Sequence, residues 1–166
     1  DGFMAGPDQD LDNPLGVGAM RLHDWFWATP TGRRMQGGDV PADAPETVDD
    51  GFLKAWDDNI GAHILGRNMF GPIRGEWGES DWKGWWGDTP PYGHDVFVLT
   101  HHAHEPIPML GGTTFTFVTD GIESALSQAI AAAGGKDVCV GGGASTIRQY
   151  LAAGLLDELH VAIAPV

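Results

Sequence analysis

Residues 137–154, DVCVGGGASTIRQYLAAG, set three consecutive glycines between an apolar run and a helical pattern. Glycine lets a backbone approach a ligand closely, and a helix start offers unpaired N–H groups and the positive end of a dipole. Gly141, Gly142 and Gly143 can therefore cradle a phosphate, with the hydroxyls of Ser145 and Thr146 as added donors on the first helical turn. A tight strand-to-helix turn that needs positive φ fits the same residues, and the sequence leaves both readings open. Two familiar phosphate motifs are excluded. A Walker loop requires a Lys after its last glycine, and none is present. The fingerprint G-x-G-x-x-G would need glycine at Thr146, and it belongs to a first βαβ unit rather than to the end of a chain.

Other side chains could also do chemistry. His101, His102 and His104 resemble a ligand cluster, but neighbours on a strand end point to opposite sides, so no metal site is expected. A phosphate contact or a solvated loop suits them better. The stretch GEWGESDWKGWWGDTPPYG holds Trp77, Trp82, Trp85 and Trp86. It reads as a carbohydrate-stacking platform, as a loop anchored by its indoles, or as a lid that keeps water from a reaction. An anchored loop with a partial lid is favoured, because so many exposed tryptophans would leave an aggregation-prone patch. HDWFW reads mainly as core, with His23 or Trp25 able to face a substrate. Arg33 and Arg34 read as solvated, and Cys139 as an inert buried thiol. The run DQDLD lacks the glycine and the terminal Glu of a calcium loop.

The elements that must position these residues alternate in the second half of the chain. Residues 1–19 and 29–47 read as loops, GAMRLHDWFWAT as a helix, and TVDDGFLKAWDDNIG as a helix capped by Thr47 or Asp49, with Phe52, Leu53 and Trp56 on one face. AHILG, DVFVLT, TTFTFVT and DVCV read as strands. DGIESALSQAIAAAGG is the clearest helix. Asp120 and Glu123 have capping-box spacing, Ile122, Ala125, Leu126, Ala129, Ile130 and Ala133 form one face, and Gly134 stops it. A helix ASTIRQYLAA and a last strand ELHVAIA follow. This alternation predicts an α/β protein, a mostly parallel sheet with helices on both faces.

Composition narrows the function. The 166 residues predict one domain. With a net charge of −14, no basic patch exists for nucleic acid. No apolar stretch approaches the roughly 20 residues that span a bilayer. One cysteine excludes an internal disulfide and a multi-cysteine zinc site. The expectation is a cytoplasmic protein that acts on a small molecule and has no nucleic-acid or membrane partner. DGFMAG starts without a preceding strand and HVAIAPV stops inside one, so both ends are expected to be trimmed from a longer protein.

GRNMF at 66–70 after AHIL, VLTHH at 98–102 closing a strand, and GGGASTI together give three strand-end segments in order. With DGFMAG and LLDELHVAIAPV they make a set that resembles the dihydrofolate reductase-like superfamily. The branch is the one allied to the reductase domain of riboflavin biosynthesis, and the resemblance covers nearly the whole chain. It implies NADPH as cofactor. Gly66, Arg67 and Asn68 would face its phosphates, Thr100, His101 and His102 would flank the 2′-phosphate, and Gly141 to Gly143 with Ala144, Ser145 and Thr146 would hold the pyrophosphate. Met4 and Ala5 would border the nicotinamide. Asp1, Trp25 and Trp85 are expected at the substrate, and a homodimer is expected. Arg67, with its fixed fork of donors, suits a phosphate.

The chain also departs from its relatives. Folate-reducing members carry an acid on the first long helix, a role only Asp24 offers here. The riboflavin reductases often have Glu where this chain has Gly141. The zinc deaminase domain that often accompanies them is not expected within these residues, since its signature needs two cysteines. The resulting expectation is hydride transfer to a C=N or C=O bond of a pterin- or pyrimidine-like heterocycle or a sugar-derived substrate, with Asp24 or bound water giving the proton. The rival readings are an NADP(H)-binding protein without turnover and a glycan-binding module built on the Trp loop.

Overall fold

The computed structural model describes residues 4–35, 37–79 and 81–164, without the side chains of Trp56 and Asp57. Strands β1 (Ile60–Gly66), β2 (Asp95–Leu99), β3 (Ile107–Pro108), β4 (Thr114–Val118) and β5 (Asp137–Gly142) form one sheet in the order β3-β4-β2-β1-β5. β1 runs parallel to both β2 and β5, and β2 runs parallel to β4. Only β3, two residues long and not foreseen from the sequence, is antiparallel. The sheet and its helices make the α/β architecture that the alternating pattern predicts.

Both faces of the sheet are covered, which is why β2 reads Val-Phe-Val without alternation. On one face, helices α5 (Ile122–Ala133) and α6 (Ala144–Ala152) bury Ala125, Ala129, Ala133 and Tyr150 against Ala62, Ile64, Phe97 and Val118. The alanines recur every four residues, so α5 can lie close to the strands. The Tyr150 hydroxyl donates to the Ile122 carbonyl oxygen at 2.8 Å and ties α6 to α5. On the other face, Leu65, Val96, Val98 and Phe115 pack under Phe70 and the segment carrying Trp77, Trp82, Trp86 and Tyr92.

Several local expectations fail for identifiable reasons. Residues 30–35, read as loop, form helix α2 (Pro30–Met35). Pro30 takes its first position, the Thr29 hydroxyl accepts from the Gly32 amide at 2.9 Å, and the Asp50 carboxylate accepts from the Thr31 amide at 2.7 Å. Asp50 belongs to α3 (Val48–Asp57), whose N-cap is Thr47, accepting from the Asp50 amide at 3.1 Å. Phe52 is exposed while Leu53 is buried, so the expected apolar face of α3 is only partly used. The expected helix over GAMRLHDWFWAT divides into a 3-10 turn (Ala19–His23) and α1 (Asp24–Trp27).

The capping box on α5 does not form. Gly121, at φ 92, takes the N-cap position without a side-chain bond, which leaves Asp120 outside the helix. Ile130 is 57% exposed although its spacing points inward. The last expected strand is also missing, since residues 158–164 are irregular. Leu159, Val161 and Ile163 keep the alternation of a strand but stay exposed, because β5 pairs only with β1 and no described strand lies next to this segment.

His63, on β1, faces the tryptophan-covered layer. Its Nδ1 lies 2.7 Å from His94 Nε2, with the rings stacked at 4.9 Å. Burial, and then the nearby charge of His94, push the His63 imidazole down to about 4. The folded protein therefore refuses a proton that the unfolded chain accepts below about 6.5. Stability should be full above pH 6.5 and should decline as pH falls toward 4, by roughly 3 kcal/mol in all. Denaturant unfolding of the wild type and of His63→Gln across this range should show a shallower slope in the variant, and equal slopes would remove His63 as the cause.

Candidate functional site

The chain order creates a cleft. After β1 the chain moves outward to β2 and β4, and α5 then crosses back over β2 and β1 to place β5 on the other side of β1. Two neighbouring parallel strands whose connections leave in opposite directions open a crevice beyond their carboxyl ends. Here those ends are Gly66 and Gly142.

The three glycines meet three different requirements. A Cβ on Gly141 would come within 2.9 Å of Leu65 Cδ2. Gly142 has φ +126, a conformation that side chains rarely adopt, and a Cβ there would also approach Met69 Sδ at 3.5 Å and Met4 Cε at 4.0 Å. Gly143 has φ −76, and a Cβ on it would meet nothing within 4 Å. The Gly142–Gly143 peptide is cis. The turn reading thus holds for Gly142, whose φ is positive, while Gly141 serves packing and Gly143 borders open space.

α6 starts directly after this turn, and its first internal acceptor is the Gly143 carbonyl, bonded by the amides of Thr146 at 3.0 Å and Ile147 at 3.1 Å. Ala144 and Ser145 are exposed on the first turn. Thr146 is buried, with its hydroxyl against the backbone of Gly66; a Cβ on Gly66 would collide with Thr146 Oγ1. The structure therefore gives Thr146 a packing contact between the two strand ends.

At the end of β1, Arg67 opens the single turn α4 (Arg67–Phe70). Its Nη1 donates to Thr100 Oγ1 at 3.1 Å, its Nη2 donates to the Gly75 carbonyl at 3.3 Å, and its Cζ sits 3.1 Å from the centroid of a Trp77 ring. Burial, followed by the charge of Arg74, pulls the Arg67 guanidinium below its usual value, while Glu76 acts in the opposite sense. Thr100 Oγ1 also accepts from the His102 amide at 3.1 Å, so Thr100 orients its neighbours. The His102 ring pairs with Glu76 Oε1 at 3.0 Å. His101 and Asn68 are exposed beside it.

The rim carries Met4, next to Gly142, and half-buried Ala5. Their loop is held by Gln9, whose Oε1 accepts from Arg74 Nη2 at 3.0 Å. Trp85 Nε1 donates to the Met69 carbonyl at 2.6 Å, so it borders the same turn. Trp77 and Trp82 likewise donate to the carbonyls of His102 at 2.8 Å and Phe70 at 3.0 Å. These three indole N–H groups are committed to the backbone, and the Trp77, Trp82 and Trp86 rings pack on the core, as an anchored loop requires.

Asp24 is exposed on the first turn of α1, a helix that packs on α2, α3 and the 3-10 turn. Trp25 is half-buried, edge-on to Phe26 with centroids 6.1 Å apart. Asp1 lies outside the described residues. Cys139 is only half-buried, within β5 and opposite His63. Among the described residues, no group of three or more His, Cys, Asp or Glu side chains could hold a metal ion, and no helix is long and apolar enough to cross a membrane. An open depression lined by Lys83, Asp88, Pro108, Met109 and Leu110 lies beside β3, at the sheet edge farthest from β5.

Sequence reasoning missed Arg74, Met69, Gln9 and the His63–His94 pair. The segment from Arg67 to Gly75 holds two arginines and no acid, which was the one readable sign of Arg74. The others depend on contacts between distant segments.

A mostly parallel five-stranded sheet flanked by helices, with glycines and an arginine at two adjacent strand ends, defines an α/β protein. Residues 52–166 match the RibD C-terminal domain family, and the chain belongs to it. That family is the reductase domain of riboflavin biosynthesis, and the fold is dihydrofolate reductase-like. No curated protein matches the chain. The matched span contains both strand ends of the cleft, whereas Met4, Ala5, Asp24 and Trp25 precede it.

The glycine turn yields a test that separates fold from ligand. Gly142→Ala should lower the stability of the ligand-free protein by about 1–3 kcal/mol, through its positive φ. Gly143→Ala should leave that melting temperature nearly unchanged and reduce the stabilisation added by saturating dinucleotide. Intact ligand stabilisation in Gly143→Ala would show that no ligand passes over this residue.

Proposed function

We propose that the chain is an NADPH-dependent reductase, transferring a hydride to a C=N or C=O bond of a small pterin- or pyrimidine-like heterocycle or sugar-derived substrate. The observation that carries this reading is the bare approach at Gly143, beside an arginine already held in place by Thr100, Gly75 and Trp77. A dinucleotide with several negative charges needs such local donors on a chain of net charge −14.

The residues fit that group. Gly143, Ala144 and Ser145 would take the pyrophosphate with backbone N–H groups and one hydroxyl. Arg67, with His101 and His102, would take the 2′-phosphate, with Thr100 holding the guanidinium. The cofactor, when bound, supplies the hydride. Met4, Met69 and Trp85 border the turn with apolar surface and would keep water from the reacting centre. Asp24 or an ordered water would deliver the proton, and Trp25 with Asp1 would contact the substrate. A homodimer and cytoplasmic residence belong to the same proposal and rest on the sequence alone.

Titration by tryptophan fluorescence should show NADPH binding more tightly than NADH, and equal affinities would overturn the 2′-phosphate assignment. Loss of nicotinamide absorbance with a panel of pterins and pyrimidines should then identify turnover. Tight NADPH binding with no oxidation across the panel would favour a binding protein without turnover.

A further inference from the structure

We propose that Arg74 is a second cation of the anion subsite at the end of β1 and sets selectivity for the phosphorylated dinucleotide, an inference that rests on the cofactor reading above. Arg67 and Arg74 leave the same strand end within one short segment, and the Arg67 guanidinium bonds the carbonyl of Gly75, the residue directly after Arg74. Arg74 Nη1 donates to the Gly71 carbonyl at 3.0 Å, and its Nη2 donates to Gln9 Oε1. Every one of these partners is neutral. Among the described residues, no carboxylate lies within ion-pair distance of either guanidinium.

The chain carries 23 acidic residues against nine Lys and Arg, and at this strand end two neighbouring guanidiniums are held only by neutral oxygens. Among the described Lys and Arg side chains, only Lys54 is ion-paired, with both Glu46 at 2.9 Å and Asp50 at 3.3 Å. Glu76, the acid whose charge acts on Arg67, is engaged by the His102 ring. Two like charges repel, and the charge of Arg74 already disfavours the charged form of Arg67. A phosphate monoester dianion would relieve that repulsion, because each fork presents donors beyond the two bonds it makes internally. Arg74 also joins two walls of the cleft, since the Gln9 loop it holds is the one that brings Met4 to Gly142.

Affinities for NADPH and NADH, read by fluorescence at two salt concentrations, test this in the wild type, Arg74→Gln, Arg74→Lys and Gln9→Ala. Arg74→Gln should weaken NADPH binding about five- to tenfold and leave NADH unchanged. Its NADPH affinity should depend less steeply on salt, and Arg74→Lys should recover part of the loss. Gln9→Ala removes the loop contact but keeps the charge, so its NADPH-to-NADH ratio should stay at the wild-type value. Equal losses for both dinucleotides in Arg74→Gln, matched by Gln9→Ala, would overturn the proposal in favour of a purely structural latch. An unchanged Arg74→Gln ratio, with NADPH still preferred, would overturn it while leaving the cofactor reading intact. A wild type that does not distinguish the two dinucleotides would remove both.

Discussion

The close approach of β1 and β5 at their carboxyl ends is the constraint on which the rest of the site depends. Gly66 lies against Thr146 Oγ1, and Gly141 lies against Leu65, so the two strands end side by side with no room for larger residues. This contact brings the start of α6 next to the start of α4. The first turn of α6 and Arg67 then stand at neighbouring strand ends, an arrangement neither segment could form alone.

The two faces of the sheet contribute unequally to that crevice. The α5 and α6 layer is built from small, regularly spaced alanines and one buried tyrosine, and it fixes where β5 must lie. The opposite layer is an irregular segment held by aromatic rings and by indole bonds to backbone carbonyls. Long loops without regular structure cannot satisfy their own backbone groups, so such side-chain donors substitute for a ladder. One consequence is that the Trp77 ring ends up beneath Arg67, where it restricts the guanidinium to a plane. Another is that Met69 and Trp85 reach the glycine turn from the side of the loop.

Charge is distributed with the same economy. Most of the acidic surplus is exposed, while Arg67 and Arg74 are satisfied by hydroxyl, amide and carbonyl oxygens. Neutral partners orient a guanidinium without cancelling its field, and that leaves attraction for an anionic ligand. His63 is the opposite case. It is buried against His94 and Tyr92 and favours its neutral form, which makes it part of the core's pH response.

The sequence by itself determined the alternation of strands and helices from residue 114 to residue 152, the stop at Gly134 and the glycine run, because periodicity, turn chemistry and missing side chains are local properties. It also showed Arg67 at a strand end, since AHIL followed by GRN is a contiguous signal. Tertiary structure alone decided the division of labour within the run: Gly141 answers to Leu65 and Gly142 to its φ, and both follow from β5 pairing with β1. It decided that Thr146 packs on Gly66, that Thr100 steers Arg67, and that Gln9 meets Arg74 from 65 residues away. It also left ELHVAIA irregular, although its alternation is that of a strand. A strand needs a neighbour's hydrogen bonds, and no pattern within seven residues can supply that neighbour.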